Sequence, residues 1–194
     1  MSVQHGGVTI AGMTASPASA SERRRAAIGT AVFAVAPATA AGVVPWLLTR
    51  WKVESPVPGG VRAQFAGAMM IGAGAAVIAN SFVHFAVEGI GTPAPFAPPR
   101  KLVVGGLYRY VRNPMYVSIA AAVAGQGLLL GQPKLFLALG IGAIPVVAFV
   151  RQYEEPTLAR KFGAAYEEYR SNVPRWLPRP TPWRPEGPES SQYT

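Results

Sequence analysis

The sequence predicts an all-α integral membrane protein: four transmembrane helices, an ordered cytoplasmic loop before the third, and an amphipathic helix towards the C-terminus. Half of its 194 residues are hydrophobic and only 14% are charged, whereas an ordinary soluble domain carries about 25% charged residues. The charged residues are bunched, leaving apolar stretches close to the roughly 20 residues that a helix needs to cross a bilayer core. Lys and Arg flank those stretches, as they flank membrane spans.

The first span covers about residues 26–49. It is too long for a signal-peptide core and has no small-residue cleavage site behind it, so it is read as a mature helix; Pro37 and Pro45 should bend it. The second covers 63–85, where Gly67, Gly72 and Gly74 allow close helix approach in lipid. Asn80, Ser81 and His84 near its end are polar at membrane depth, where a side chain needs a partner and often marks a cavity.

Residues 88–112 contain Pro93, Pro95, Pro98 and Pro99, and long proline-rich loops in compact proteins are usually functional or disordered. Phe96, Tyr108, Tyr110 and the basic residues Arg100, Lys101, Arg109 and Arg112 favour an ordered loop lying on the membrane surface. Pro114 suits the first turn of the third helix, 115–131, with Asn113 as its N-cap. The fourth span, 135–150, is short; at 1.5 Å per residue it covers roughly 24 Å. It should therefore continue past Arg151 and carry Glu154 and Glu155 just outside the hydrocarbon. Beyond, Leu158, Phe162, Ala165, Tyr166 and Tyr169 recur at helical spacing, predicting an amphipathic helix over 156–171 that folds back as a lid. Arg160, Glu167, Glu168 and Arg170 would face water, and Gly163 would weaken the helix slightly.

Residues 1–21 and 179–194 read as disordered ends around a membrane domain of 22–178. With the N-terminus inside, all but Arg50, Lys52, Arg62 and Lys134 of the 18 Lys and Arg residues fall on the cytoplasmic side. Both termini are thus expected in the cytoplasm, with a bacterial plasma membrane as the expected location. The net charge of +9 sits at helix ends and lacks a nucleic-acid reading element, so no nucleic-acid partner is expected. Zero cysteines exclude disulfides, metal-thiolate sites and cysteine nucleophiles, and no metal is expected.

Chemistry concentrates in two places. The start of the third helix offers free backbone amides, Asn113, and the cations Arg109 and Arg112, a receptor for a carboxylate or other anion. The end of the fourth offers the adjacent carboxylates Glu154 and Glu155, acceptors for an ammonium or for sugar hydroxyls. Together they complement a zwitterion attached to a ribose.

The residues read Gly-x-Tyr-x-x-x-Arg-Asn-Pro-Met-Tyr over 106–116, then Gly125 and Gln132-Pro133. Glu154-Glu155-x-x-Leu158-x-x-x-Phe162-Gly163-x-x-Tyr166-x-x-Tyr169 follows, and Val173-Pro174-x-x-Leu177-Pro178 closes the pattern. It resembles the isoprenylcysteine carboxyl methyltransferase and phospholipid methyltransferase family of integral membrane enzymes, over about residues 91–178. The resemblance implies S-adenosylmethionine as methyl donor, S-adenosylhomocysteine as product, and a lipophilic small molecule or lipid entering from the bilayer. It implies cofactor contacts from Tyr108, Asn113, Pro114, Tyr116, Gly125, Glu154 and Glu155. Arg112, Arg151 and Glu155 are the candidate catalytic residues, and His84 and Arg151 the candidate acceptor contacts. The chain departs from the family pattern at Asn113, where the family carries His; Asn can donate to a carboxylate but cannot take a proton at neutral pH. A carboxylate acceptor, the expected one, needs no base. An amine, as in phospholipid N-methylation, needs one of Glu154, Glu155, Tyr116 or His84. Since these groups lie at a membrane edge, alanine at Asn113, Glu154 or Glu155 is expected to weaken cofactor binding and leave the fold intact.

Overall fold

The computed structural model describes residues 35–54, 58–88, 102 and 104–184, with side chains as far as Ser81 in the second of these segments. The regular elements among the described residues are all helices, with no strand. Helix α1 (Val35–Thr49) is followed by α2 (Gly60–Glu88), α3 (Pro114–Leu130), α4 (Pro133–Phe162) and α5 (Ala164–Asn172). Two stretches, Gly60–Ser81 and Pro133–Phe162, are long and apolar enough to cross a membrane. Only 11% of either apolar window is buried within the protein, unlike the mostly buried core helix of a soluble protein. Helices α1 and α3 are apolar but shorter; the 17 residues of α3 rise about 25 Å.

The irregular turn within α1 has a specific cause. Pro45 has no N–H, so the carbonyl of Ala41 four residues earlier loses its helical donor. The backbone widens there into a π-helical turn, Thr39–Val43, and Gln126 Nε2 of α3 donates to the Ala41 carbonyl at 2.7 Å. Gln126 Oε1 in turn accepts from Trp51 Nε1 at 3.1 Å. One side chain thus fastens α1 and its following turn to α3.

Helices α2 and α3 form the most extensive pair, and small residues set their separation. A Cβ on Gly67 would lie 2.5 Å from the Gly125 carbonyl oxygen, and one on Gly125 would lie 2.6 Å from that of Gly67. One on Gly74 would lie 2.7 Å from the Ser118 oxygen. Gly72 faces open space, so only two of the three glycines expected at an interface are there. Gly67→Val should force the two backbones apart and destabilise the protein by about 1–3 kcal/mol, the usual cost of overpacking; thermal unfolding in detergent measures this, and an unchanged midpoint would contradict the close approach.

At one end of the bundle the α1–α2 turn docks on the α3–α4 turn. Gly131 (φ 66°) closes α3, Glu54 N donates to the Leu130 carbonyl at 2.9 Å, and Gln132 Nε2 donates to the Lys52 carbonyl at 2.7 Å. Arg50, Lys52 and Lys134 gather here, a helix length from the chemistry at the start of α3.

As expected, α4 does not stop at Val150 but runs on through Glu154 and Glu155 to Phe162. Its course changes at a π-helical turn, Val150–Glu154, where Glu155 N donates to the Val150 carbonyl five residues back. The amphipathic stretch departs from expectation. It is not one helix over 156–171: Gly163, at φ 52° and ψ −126°, breaks it into the end of α4 and a separate α5. That backbone region is reserved almost entirely to glycine, so Gly163 redirects the chain where sequence periodicity alone sees a slight weakening.

The second departure is the C-terminal side. Residues 179–184, read as flexible tail, are packed: Trp183 is buried beside Tyr169 with ring centroids 5.7 Å apart. It joins Leu102, Val104, Ala165, Tyr166, Tyr169 and Val173 in a core over which Leu158, Ala159 and Phe162 close. Residues 1–34 and the prolines at 93, 95, 98 and 99 lie outside the described residues.

Candidate active site

The loop entering α3 begins with a 3-10 turn, Gly106–Arg109, started by Gly106 at φ 56°. A strap, residues 173–183, runs antiparallel beside this loop and supplies backbone partners. Arg112 N donates to the Pro174 carbonyl, Arg179 N to that of Tyr110 and Trp183 N to that of Arg109, each at 2.9 Å. Tyr169 Oη of α5 donates to the Tyr108 carbonyl at 2.8 Å. Without these partners the irregular loop would leave its amides and carbonyls unpaired under the lid, a costly state.

Pro114 takes the first turn of α3, as its fixed φ favours, and Asn113 stands at the N-cap position. The Asn113 side chain does not cap the helix. Its Nδ2 instead donates to the Arg175 carbonyl at 3.2 Å, so this buried residue joins the helix start to the strap.

The two polar segments meet. Tyr116 Oη donates to Glu154 Oε2 at 3.2 Å, leaving Oε1 outside that bond. Tyr116 also meets the ring of Trp176 from the strap edge-on, at 6.4 Å. Glu155 is buried between two guanidinium groups: Arg175 grips it with a fork, Nε to Oε1 at 2.8 Å and Nη2 to Oε2 at 2.5 Å, and Arg112 Nη1 lies 3.2 Å from Oε1. The Arg112 and Glu155 side chains are each only 9% exposed. Arg112 Nε and Nη1, like Arg109 Nε, are buried with no acceptor in hydrogen-bond alignment.

Tyr108 and Tyr166 stay neutral at physiological pH. Burial, then the nearby Glu154 carboxylate, pushes Tyr108 up to about 12. Burial, then Glu155, pushes Tyr166 up to about 12 against the opposing pull of Arg112. The hydrogen bonds to Glu155 raise Arg175 further above its ordinary value.

Tyr108, Arg112, Asn113, Pro114, Tyr116, Glu154 and Glu155 therefore fall in one region at one end of the bundle. Gly125 does not join them: it lies nine residues along α3 from Tyr116, about 13 Å by helical rise, against Gly67. Arg151 is exposed while Glu154 is half-buried. A regular helix would place residues three apart on one face, but the π-helical turn over 150–154 widens the spacing and separates them. His84 lies in α2 with its side chain outside the described residues. Arg175, central to the cluster, was not singled out by sequence reasoning; the signal available was its place between Pro174 and Trp176 in the Val173–Pro178 pattern.

This donor set fits a zwitterionic nucleoside: buried N–H groups on Arg109 and Arg112 lack acceptors, as a carboxylate would supply, and Glu154 keeps one oxygen outside the Tyr116 bond for an ammonium or hydroxyl.

Over 80 residues, 40% of this chain and 33% of the relative, the sequence is 36% identical to Protein-S-isoprenylcysteine O-methyltransferase of Schizosaccharomyces pombe. The match thus spans about a third of that relative's length. No solved structure matches the chain. Residues 63–165, more than half of the chain and the part containing α2, the site loop, α3 and the Glu154-Glu155 pair, match the family model for phospholipid methyltransferase, and the chain belongs to that family.

Proposed function

We propose that this protein transfers a methyl group from S-adenosylmethionine to a lipophilic acceptor at the inner membrane surface. The observation that carries the reading is the contact between the start of α3 and the end of α4, Tyr116 Oη on Glu154 Oε2 at 3.2 Å, beside buried guanidinium N–H groups without acceptors. When bound, the donor supplies a methyl group activated on a sulfonium, so the protein's work is positioning and exclusion of water. Arg112, with Arg109, would bind the donor carboxylate. Glu154, held by Tyr116, would accept from its ammonium or ribose hydroxyls. Tyr108 stays protonated and adds no charge, and α5 with the strap would shield the site from solvent.

The proposed topology is four spans with both termini in the cytoplasm of a bacterial cell, α1 and α3 crossing despite their length. The membrane domain would begin near residue 22 and extend through the strap. For the acceptor we propose a carboxylate, already ionised and needing no base, which the O-methyltransferase named in the comparison supports. Arg151, exposed at the same helix end, would meet its negative charge, and His84 would contact it from α2. Phospholipid amine methylation, which the family's name favours, would require Glu154 as proton acceptor.

Incubation with lipid extracts and isotopically labelled donor, followed by mass spectrometry, separates methyl ester from N-methyl products; no labelled product with any extract would count against the reading. Glu154→Gln keeps the Tyr116 hydrogen bond but removes the charge, and should weaken S-adenosylhomocysteine binding about tenfold or more, the worth of a hydrogen bond to a charged group. Calorimetry in detergent measures this, and unchanged affinity would remove Glu154 from the site.

A further inference from the structure

Two guanidinium groups compete for one carboxylate in this site, and the less expected one wins. Arg175, 25% exposed, holds both oxygens of Glu155 in a fork. Arg112, 9% exposed, meets Glu155 with a 3.2 Å ion-pair approach from Nη1 and also pairs with the Tyr166 side chain, but neither Nη1 nor Nε is aligned with an acceptor. If the cluster served stability alone, the fork would belong to the more buried group, since an unpaired buried donor loses its hydration without return while a water-accessible one keeps it. The backbone explains the reversal. Arg112 N holds the Pro174 carbonyl and Asn113 Nδ2 holds that of Arg175, which fixes the strap so that the Arg175 side chain falls across Glu155.

We propose that Arg175 is a positioning residue: by occupying both oxygens of Glu155 it prevents that carboxylate from closing on Arg112, and so keeps Arg112 Nε and Nη1 available to the carboxylate of the ligand. Glu155 is then not a ligand contact, and the two glutamates divide their work, Glu154 towards the ligand and Glu155 towards the strap. One carboxylate between two guanidinium groups leaves a net positive charge in a buried place, which a ligand carboxylate complements. The inference rests on the donor reading above and assigns a role to a residue outside the stretch that matches the family model.

The test compares S-adenosylhomocysteine with its decarboxylated analogue, which keeps the nucleoside and the ammonium but lacks the anion. In Arg175→Gln, Glu155 turns to Arg112, and affinity for S-adenosylhomocysteine should fall about tenfold, the worth of a charge-assisted hydrogen bond, with the analogue bound as by the wild type. Glu155→Gln together with Arg175→Gln removes the competing charge and should restore most of the lost affinity. Arg175→Lys supplies a point charge in place of a fork; it should lose less, and again only for the carboxylate-bearing ligand, so the contrast can be read even if Arg175→Gln does not fold. Equal loss for both ligands, or no loss for either, overturns the inference. Failure of the folded wild type to bind S-adenosylhomocysteine would overturn the donor reading and this inference with it, whereas wild-type binding without the ligand contrast overturns this inference alone.

Discussion

Glu155→Ala is expected to destabilise the protein by about 3–5 kcal/mol, the usual consequence of removing one partner from a buried ion pair. The loss would leave Arg112 and Arg175 facing each other with no carboxylate between them. Arg175 is 25% exposed and can recover some hydration, which places the cost towards the lower end. This outcome differs from the one the sequence suggests, in which Glu155 contacts the cofactor and its alanine variant leaves the fold intact. Chemical or thermal unfolding in detergent decides between them: a change below about 1 kcal/mol would mean that the pair behaves as an ordinary surface salt bridge. Glu154→Gln, by contrast, should unfold near the wild-type midpoint, so the two adjacent glutamates should separate cleanly into one that binds and one that holds.

Trp183→Ala should cost about 3–5 kcal/mol, as for a large buried aromatic. Trp183 is 7% exposed and packs on Tyr169, while its backbone N–H holds the Arg109 carbonyl. Truncation after Pro178 removes that packing together with the Arg179 bonds to the Tyr110 and Asn172 carbonyls. The expected result is a lowered unfolding midpoint and faster amide exchange across 108–113, because the loop would lose partners on one side. An unchanged midpoint with unchanged exchange would show that the strap is not part of the folded unit.

These two residues also mark what the sequence could and could not reveal. Asn113-Pro114 as a helix start and the run of α4 through Glu154 and Glu155 were legible, because proline's missing donor and the length of an apolar run act locally. So was the meeting of the two polar segments, since their order along the chain and the intervening apolar stretches leave few ways to separate them. The end of the strap, from residue 179, was not legible: its prolines give it the composition of a disordered tail, and its order comes from hydrogen bonds to a loop some 70 residues earlier. Trp183 among those prolines was a hint. Gly125 was ambiguous for a related reason, since a glycine spaced for ligand access and one spaced for helix contact look the same until its opposite number, Gly67, is known. Pro45 signals the irregularity that leaves the Ala41 carbonyl to Gln126, but the π-helical turn that parts Arg151 from Glu154 carries no sequence pattern of its own.

The most direct measurement is calorimetric titration of the purified full chain in detergent with S-adenosylhomocysteine. One molecule bound per chain, with affinity lost in Glu154→Gln, is the predicted result. A folded wild type that takes up no S-adenosylhomocysteine at millimolar concentration would contradict the account at its root.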